Sequence, residues 1–209
     1  MQSLDMRRKK ALKIIAALKK LYPKPQIALK YSNDWELLVA VILSAQCTDK
    51  MVNKVTERLF KKYKKIGDYA KAKQEEFEQD IKSTGFYKNK AKNIISDAKI
   101  IQQKHAGKMP NTMEEMLALS GVARKTANIV LYLAHGKIEG VAVDTHVRRL
   151  SKLLGLTDHD DPDKIERDLM EALPRKEWMD FNLRLVHYGR DYCTARKHDH
   201  KDCPLSQIV

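Results

Sequence analysis

The residues best suited to chemistry lie in the stretch from Leu119 to Asn128, which contains Gly121 and Lys125. A glycine between two helical segments permits a positive φ, so the chain can reverse direction sharply there. The next helix would begin with unpaired backbone N–H groups and the positive end of its dipole, which favour a phosphate. Lys125, in its first turn, is a candidate amine nucleophile. An ordinary helix-helix turn with a solvated or phosphate-contacting lysine is the competing interpretation.

A carboxylate follows on the next segment. Asp144 comes directly after the apolar residues 141–143 and before Thr145 and His146. A carboxylate at a helix start is often only an N-cap. If it shares a cleft with Lys125, it can act as a proton acceptor for the amine. The pair then predicts chemistry on whatever group the bound phosphate carries.

The segments that must position these residues have a helical pattern. Apolar residues recur at helix spacing, and glycines, prolines and capping residues punctuate them. No segment alternates as a half-buried strand does, so we predict an all-α fold. After a first helix that ends before Pro23, the pattern predicts helices over 35–44 (with Asp34 as N-cap), 49–65, 75–82, 88–104, 113–119, 124–134, 145–154, 163–173 and 178–189.

Composition narrows the class of partner. Forty Lys and Arg against 27 Asp and Glu give a net charge of +13, which favours a polyanion, nucleic acid before a membrane surface. No apolar run reaches the roughly 20 residues that span a bilayer, and the N-terminus lacks the pattern of a secretory signal. Three cysteines are too few for a disulfide scaffold. We therefore expect a cytoplasmic protein, nucleoid-associated in a prokaryote, with no membrane contact.

Five motifs, in order and at close to family spacing, resemble the endonuclease III family of helix-hairpin-helix DNA glycosylases and abasic-site lyases. They lie at 43–49, 85–91, 121–128, 143–146 and 187–190. The resemblance implies that Lys125 attacks C1′ of a flipped-out damaged nucleoside, forms a Schiff base and cuts the strand by β-elimination. It implies that Asp144 supports deprotonation of the lysine and stabilises positive charge on the sugar.

The same resemblance implies residues that contact DNA. Gln46 matches the residue that fills the space left by the flipped base, and Phe86 matches the wedge on the other side, where the family more often has a smaller aliphatic residue. A packing role for Phe86 stays open. Ala123 replaces the hairpin's usual second glycine, which costs roughly 1 kcal/mol only if that position needs a positive φ. Further DNA contacts are expected from Gly121, Ala123, Arg124, Thr126 and His146, and a capping or packing role stays open for Thr126 and His146.

The tail departs from the family. Many members bind a [4Fe-4S] cluster through four cysteines, and that spacing falls here on Cys193, His200, Cys203 and Val209. Two thiolates, one imidazole and a valine do not make a four-thiolate site, so we predict that the cluster is absent and that no cofactor is bound. A zinc or unusual cluster site built from Cys193, His200 and Cys203, with His198 as a further candidate, is the open alternative.

Two basic residues in this tail, Arg196 and Lys197, are expected to contact DNA phosphates without a metal. The resemblance also implies two helical domains flanking a DNA-binding groove, one over 27–137 and one combining 1–26 with 138–209. We expect a monomer that acts on oxidised pyrimidines and abasic sites in double-stranded DNA. A monofunctional mismatch glycosylase is one rival, and Lys125 argues against it because those relatives usually lack the lysine. A non-catalytic helix-hairpin-helix DNA-binding protein is the other, and the presence of both Lys125 and Asp144 argues against it.

Overall fold

The computed structural model describes residues 3–208; Val209, the last position of the family's cysteine spacing, lies outside them. This described part contains α-helices, short 3-10 helices and no strand, which confirms the predicted all-α fold. The helices are α1 (Leu4–Leu21), α2 (Asp34–Ser44), α3 (Asp49–Lys62), α4 (Ile66–Ala70), α5 (Gln74–Ile81), α6 (Tyr87–His105), α7 (Met113–Leu117), α8 (Arg124–His135), α9 (Thr145–Leu153), α10 (Pro162–Ala172) and α11 (Trp178–Asp191). Across residues 3–208, no helix is long and apolar enough to cross a membrane.

Most predicted helix boundaries differ from the observed ones by one or two residues, and two of the differences have a local reason. The N-cap of α2 is Asn33 rather than Asp34, because the Asn33 side chain accepts a hydrogen bond from the Glu36 backbone N–H. The predicted helix over 49–65 ends at Lys62. The backbone N–H groups of the next residues, 64 and 65, donate to Asp68 Oδ2, which starts the separate helix α4.

The chain divides into two compact units. The central unit is Ala28–Lys137, and the terminal unit combines the chain up to Ile27 with the chain from Ile138 onward. In the central unit, α2 is buried nearly all round and packs against α3, α6 and α8. A helix that is apolar on every side needs such an enclosure, and it gives α6 and α8 a fixed support.

The terminal unit has its own apolar core, formed by α1, α9, α10 and α11. Arg184 of α11 is buried there and is compensated by two carboxylates, Glu177 at 3.3 Å and Asp180 at 3.0 Å. Glu177 also pairs with Lys19 of α1 at 2.5 Å. The pairing ties α1 to the segment that starts α11, so the two ends of the chain share one unit.

Candidate functional site

The turn between α7 and α8 packs against α6. Gly121 has a φ of 72°, and a Cβ there would lie 2.2 Å from Asn93 Nδ2 of α6. The Ser120 backbone N–H donates to Asp97 Oδ1 at 2.6 Å, and the Ser120 and Ser96 hydroxyls are 3.2 Å apart. Both the conformation and the close approach require glycine at 121, so the predicted tight turn is present and rigidly placed.

Asp97 is an unusual support, because it is a fully buried carboxyl group. Its Oδ2 has no hydrogen-bond partner among the described residues. Burial raises the pKa of Asp97 to about 7, and the hydrogen bond from Ser120 opposes the rise. The hairpin backbone at Ser120 is therefore hydrogen-bonded to a carboxyl group whose ionised form is disfavoured by burial.

Ala123 adopts ordinary extended backbone, with φ −86° and ψ 168°. Alanine in place of the family's glycine is therefore unstrained, and the possible cost raised by the sequence does not arise. Alanine also has no polar side chain to cap the helix that follows. In the part of the chain that the structure describes, no side chain caps the first turn of α8, so its backbone N–H groups suit a phosphate.

Lys125 is exposed in this first turn, between the half-buried Arg124 and Thr126. The opposite face of α8 is anchored in the core through Ala127, Val130 and Leu131, each with no exposed area. The anchored face fixes the helix, so the lysine projects from a rigid element while its amine stays accessible. Five predicted site residues, Gly121, Ala123, Arg124, Lys125 and Thr126, are thereby brought together in one hairpin.

Gln46 and Phe86 occupy two loops of the same unit, and both have left-handed backbone, with φ of 53° and 49°. Both side chains are exposed, Phe86 to 62%. Non-glycine residues adopt this conformation at a cost of about 1–2 kcal/mol. Surrounding contacts must therefore impose it, which is common at functional loops.

Lys90 joins these two loops, and sequence reasoning missed it. It is 5% exposed, and its Nζ donates to the carbonyls of Leu43 and Ala45 at 2.8 Å and of Thr84 at 2.9 Å. Burial lowers the pKa of Lys90, whereas three carbonyl acceptors match the three N–H bonds of the ammonium form. The sequence did hold a sign of this role, because Lys90 lies one helical turn before Ile94 and so on the buried face of α6.

Asp144 lies in the terminal unit, where it is the N-cap of α9. Its Oδ1 accepts a hydrogen bond from the Val147 backbone N–H at 2.8 Å, and the side chain is half-buried. The capping role considered from sequence is thus present, and it fixes the direction of the carboxyl group. His146, in the first turn of α9, is packed so closely against α11 that a Cβ on Gly189 would lie 2.5 Å from its Nδ1.

An open pocket of about 830 Å³ runs along α9, from Thr145 to Leu153. Arg196 and Lys197 line it and are exposed, as expected for phosphate contacts. Three further basic residues of α9 that sequence reasoning missed also line it: Arg148, Arg149 and Lys152. These three residues are one, three and four positions apart, which places them on one side of an amphipathic helix. That spacing could have predicted a basic surface from the sequence.

The tail brings Cys193, His198, His200 and Cys203 together, with their ligand atoms all within 4.8 Å of one another. The alternative weighed from sequence had Cys193, His200 and Cys203 as its core. Two thiols and two imidazoles do not fit the four-cysteine [4Fe-4S] site that the family resemblance implies.

Comparisons with known proteins agree with these features. Residues 39–175 match the family described as HhH-GPD superfamily base excision DNA repair protein. The chain is 47% identical to endonuclease III of Synechocystis sp., covering 100% of this chain and 95% of the relative. It is 45% identical to endonuclease III of Bacillus subtilis, covering 90% and 86%.

Solved structures give the same result. A non-covalent endonuclease III–DNA complex matches with a TM-score of 0.91 at 41% identity, covering 100% of this chain and 96% of the other. A trapped covalent endonuclease III–DNA intermediate matches with a TM-score of 0.90 at 41% identity, with the same coverage. The predicted family, glycosylase fold and enzyme class are confirmed. The chain belongs to the endonuclease III family of the HhH-GPD superfamily, the DNA glycosylases and abasic-site lyases of base excision repair.

Proposed function

We propose that this enzyme excises oxidised pyrimidines from duplex DNA and then cleaves the strand, acting as a monomer with Lys125 as its nucleophile. The observation that carries the proposal is the exposed amine of Lys125 in the first turn of α8, directly after a turn that α6 holds in place. The helix start binds the phosphate, and the fixed helix delivers the amine toward the attached sugar.

In the proposed reaction the Lys125 amine attacks C1′, and the bond from C1′ to the base breaks. The base departs with the bonding electron pair and takes up a proton. Ring opening leaves a Schiff base between Lys125 and C1′, and loss of a C2′ proton expels the 3′ phosphate by β-elimination. Water then hydrolyses the Schiff base and releases Lys125. We assign to Asp144 the carboxylate that accepts the amine proton and stabilises positive charge on the sugar.

Attack at C1′ requires the nucleotide to leave the stack, so other residues must fill the space. We assign this role to Gln46, whose amide can replace lost base-pair hydrogen bonds, and to Phe86, whose ring can stack between base steps. Their exposure and left-handed backbone support the assignment. Arg196 and Lys197, which line the basic pocket, are proposed phosphate contacts.

The test is borohydride trapping on duplexes that carry thymine glycol or an abasic site, with undamaged and mismatched duplexes beside them. We expect a covalent adduct with the parent enzyme and none with Lys125→Ala. Asp144→Asn should slow its formation by about 10²–10⁴-fold. Lys99→Ala, an exposed lysine of α6, is the matched control and should trap as the parent does. An adduct at parental level with Lys125→Ala would refute the assignment, and reaction only with mismatches would refute the substrate class.

A further inference from the structure

The tail of the chain places four metal-binding side chains around one point. Sγ of Cys193 is 3.6 Å from Nδ1 of His200, and Sγ of Cys203 is 4.0 Å from that nitrogen. Nε2 of His198 is 3.3 Å from Sγ of Cys203. These four residues span only eleven positions, so a short loop supplies the complete set.

The spacing of the donor atoms fits a single ion rather than a cluster. With zinc bonds of about 2.3 Å to sulfur and 2.0–2.1 Å to nitrogen, the edges of a tetrahedron are about 3.4–3.8 Å. The contacts of 3.3–4.0 Å lie near these edges, and every donor pair lies within 4.8 Å. Ligands of a cluster bind different irons and must stand farther apart. The chain's third cysteine, Cys47, is not part of this group.

We propose that Cys193, His198, His200 and Cys203 bind one zinc ion in tetrahedral geometry, as a structural site. Four protein ligands close the coordination sphere, so the ion has no open position for a substrate or water. The site contributes to stability and to the shape of the tail rather than to the chemistry at Lys125. The inference stands on the donor geometry alone and does not depend on the proposed substrate.

Neighbouring groups already orient the ligands. Nδ1 of His198 lies 2.7 Å from the Arg196 carbonyl, which can only accept, so this nitrogen carries the proton and Nε2 presents its lone pair. Arg149 of α9 donates to the Cys193 carbonyl at 2.5 Å, and its Nη1 lies 3.6 Å from Cys193 Sγ. Both sulfurs belong to buried residues, with Cys193 at 0% and Cys203 at 5% exposure.

The ion would fix the loop that carries Arg196 and Lys197. Both lie between the first two ligands, Cys193 and His198, and so inside a loop that the ion closes. Beyond the last ligand, the Leu205 backbone N–H donates to the Tyr188 hydroxyl of α11, and Leu205 is fully buried. Zinc binding would therefore also fix the loop that carries Arg196 and Lys197, a consequence for DNA binding that rests on the proposed function.

The test begins with zinc, iron and acid-labile sulfide in the full-length enzyme purified without added metal or oxygen. We expect about one zinc per chain and neither stoichiometric iron nor sulfide. The metal-free enzyme should bind Co²⁺ with the visible bands of tetrahedral cobalt and thiolate-to-cobalt charge transfer. Stoichiometric iron with sulfide would overturn the proposal, and so would a metal-free enzyme that binds neither Zn²⁺ nor Co²⁺.

Variants then assign the ligands. Cys203→Ser and His200→Ala should each weaken Co²⁺ binding by at least about 10-fold, since loss of even an outer-shell partner costs 10–100-fold. Arg149→Ala tests that outer shell and should weaken Co²⁺ binding within the same range. Cys47→Ser is the matched control and should leave the cobalt spectrum unchanged. Unchanged affinity in both ligand variants, each shown to be folded by circular dichroism, would refute the assignment.

Discussion

Lys90 is predicted to hold the two loops that carry Gln46 and Phe86, and Lys90→Met tests this role. Methionine keeps most of the apolar stem and removes the ammonium group. Three hydrogen bonds of 2.8–2.9 Å are lost with it, to the carbonyls of Leu43, Ala45 and Thr84. The perturbation therefore acts on the backbone just before each loop residue.

The magnitude follows from which of these acceptors can reach water. Ala45 is exposed, so its carbonyl can be hydrated after the substitution. The bonds to Leu43 and Thr84 are buried, and each acceptor left unsatisfied costs about 1–3 kcal/mol. Relief of the buried charge offsets part of this. We expect Lys90→Met to lower the free energy of unfolding by about 2–4 kcal/mol, a large share of the 5–15 kcal/mol typical of a domain.

Two assays separate positioning from general damage. Guanidinium unfolding measures stability, and single-turnover kinetics compare excision of thymine glycol with cleavage at a preformed abasic site. Without Lys90 the two loops should relax from their left-handed backbone, and returning each to it costs about 1–2 kcal/mol. Since 1.4 kcal/mol is a factor of ten in rate, base excision should slow by about 10-fold or more. Abasic cleavage needs no base flipped and should slow less.

Lys99→Met, at an exposed position of the same helix, removes the same charge and is the control. The reasoning is refuted if Lys90→Met unfolds within about 0.5 kcal/mol of this control, the scale of ordinary surface substitutions. Equal slowing of excision and of abasic cleavage would show that Lys90 does not act through the two loops.

Three further substitutions probe the supports of the site. The raised pKa of Asp97 means that the folded state keeps its proton between pH 4 and 7 while the unfolded chain loses it, so this group disfavours folding increasingly up to pH 7. The free energy of unfolding of Asp97→Asn, measured with urea relative to the parent, should therefore rise by about 2–3 kcal/mol from pH 5 to pH 8. A difference between variant and parent that stays constant with pH would contradict the raised pKa. Gly189→Ala should cost about 1–3 kcal/mol, because its Cβ meets His146, and abasic cleavage should slow with it; calorimetry showing an unchanged Tm would contradict this packing. Gly121→Ala combines left-handed strain with a contact on Asn93 and should cost at least about 2 kcal/mol and weaken DNA binding in a fluorescence titration; parental stability and affinity would disprove the turn geometry.

Features that depend on local pattern could be predicted from the sequence. The periodicity of apolar residues and the capping signals indicated most helices within a few residues. Gly121 was identified as the turn because few other residues adopt a positive φ cheaply. Lys125 followed from its position just after that turn. These predictions need only neighbours along the chain.

Features set by distant contacts could not be predicted in this way. The backbone angle at Ala123 depends on how the turn docks, so the sequence left its cost open, and the extended φ of −86° removes it. Lys90 seemed one basic residue among forty until its three carbonyl partners were visible. The convergence of His198 with the other tail residues depends on the loop conformation, which spacing alone does not determine.

A common device supports the separate parts of the site. Asp97 accepts from the hairpin backbone, Lys90 donates to the carbonyls before two loops, and Arg149 donates to the carbonyl of Cys193. In each case an ionisable side chain that is at least half-buried bonds to backbone beside a functional residue. Replacing such a group with an apolar one of equal size leaves the hydrophobic core intact but removes the constraint on the loop. Substitution at these positions should therefore impair function through the loop that each group holds, in addition to lowering the free energy of unfolding, as argued for Lys90→Met.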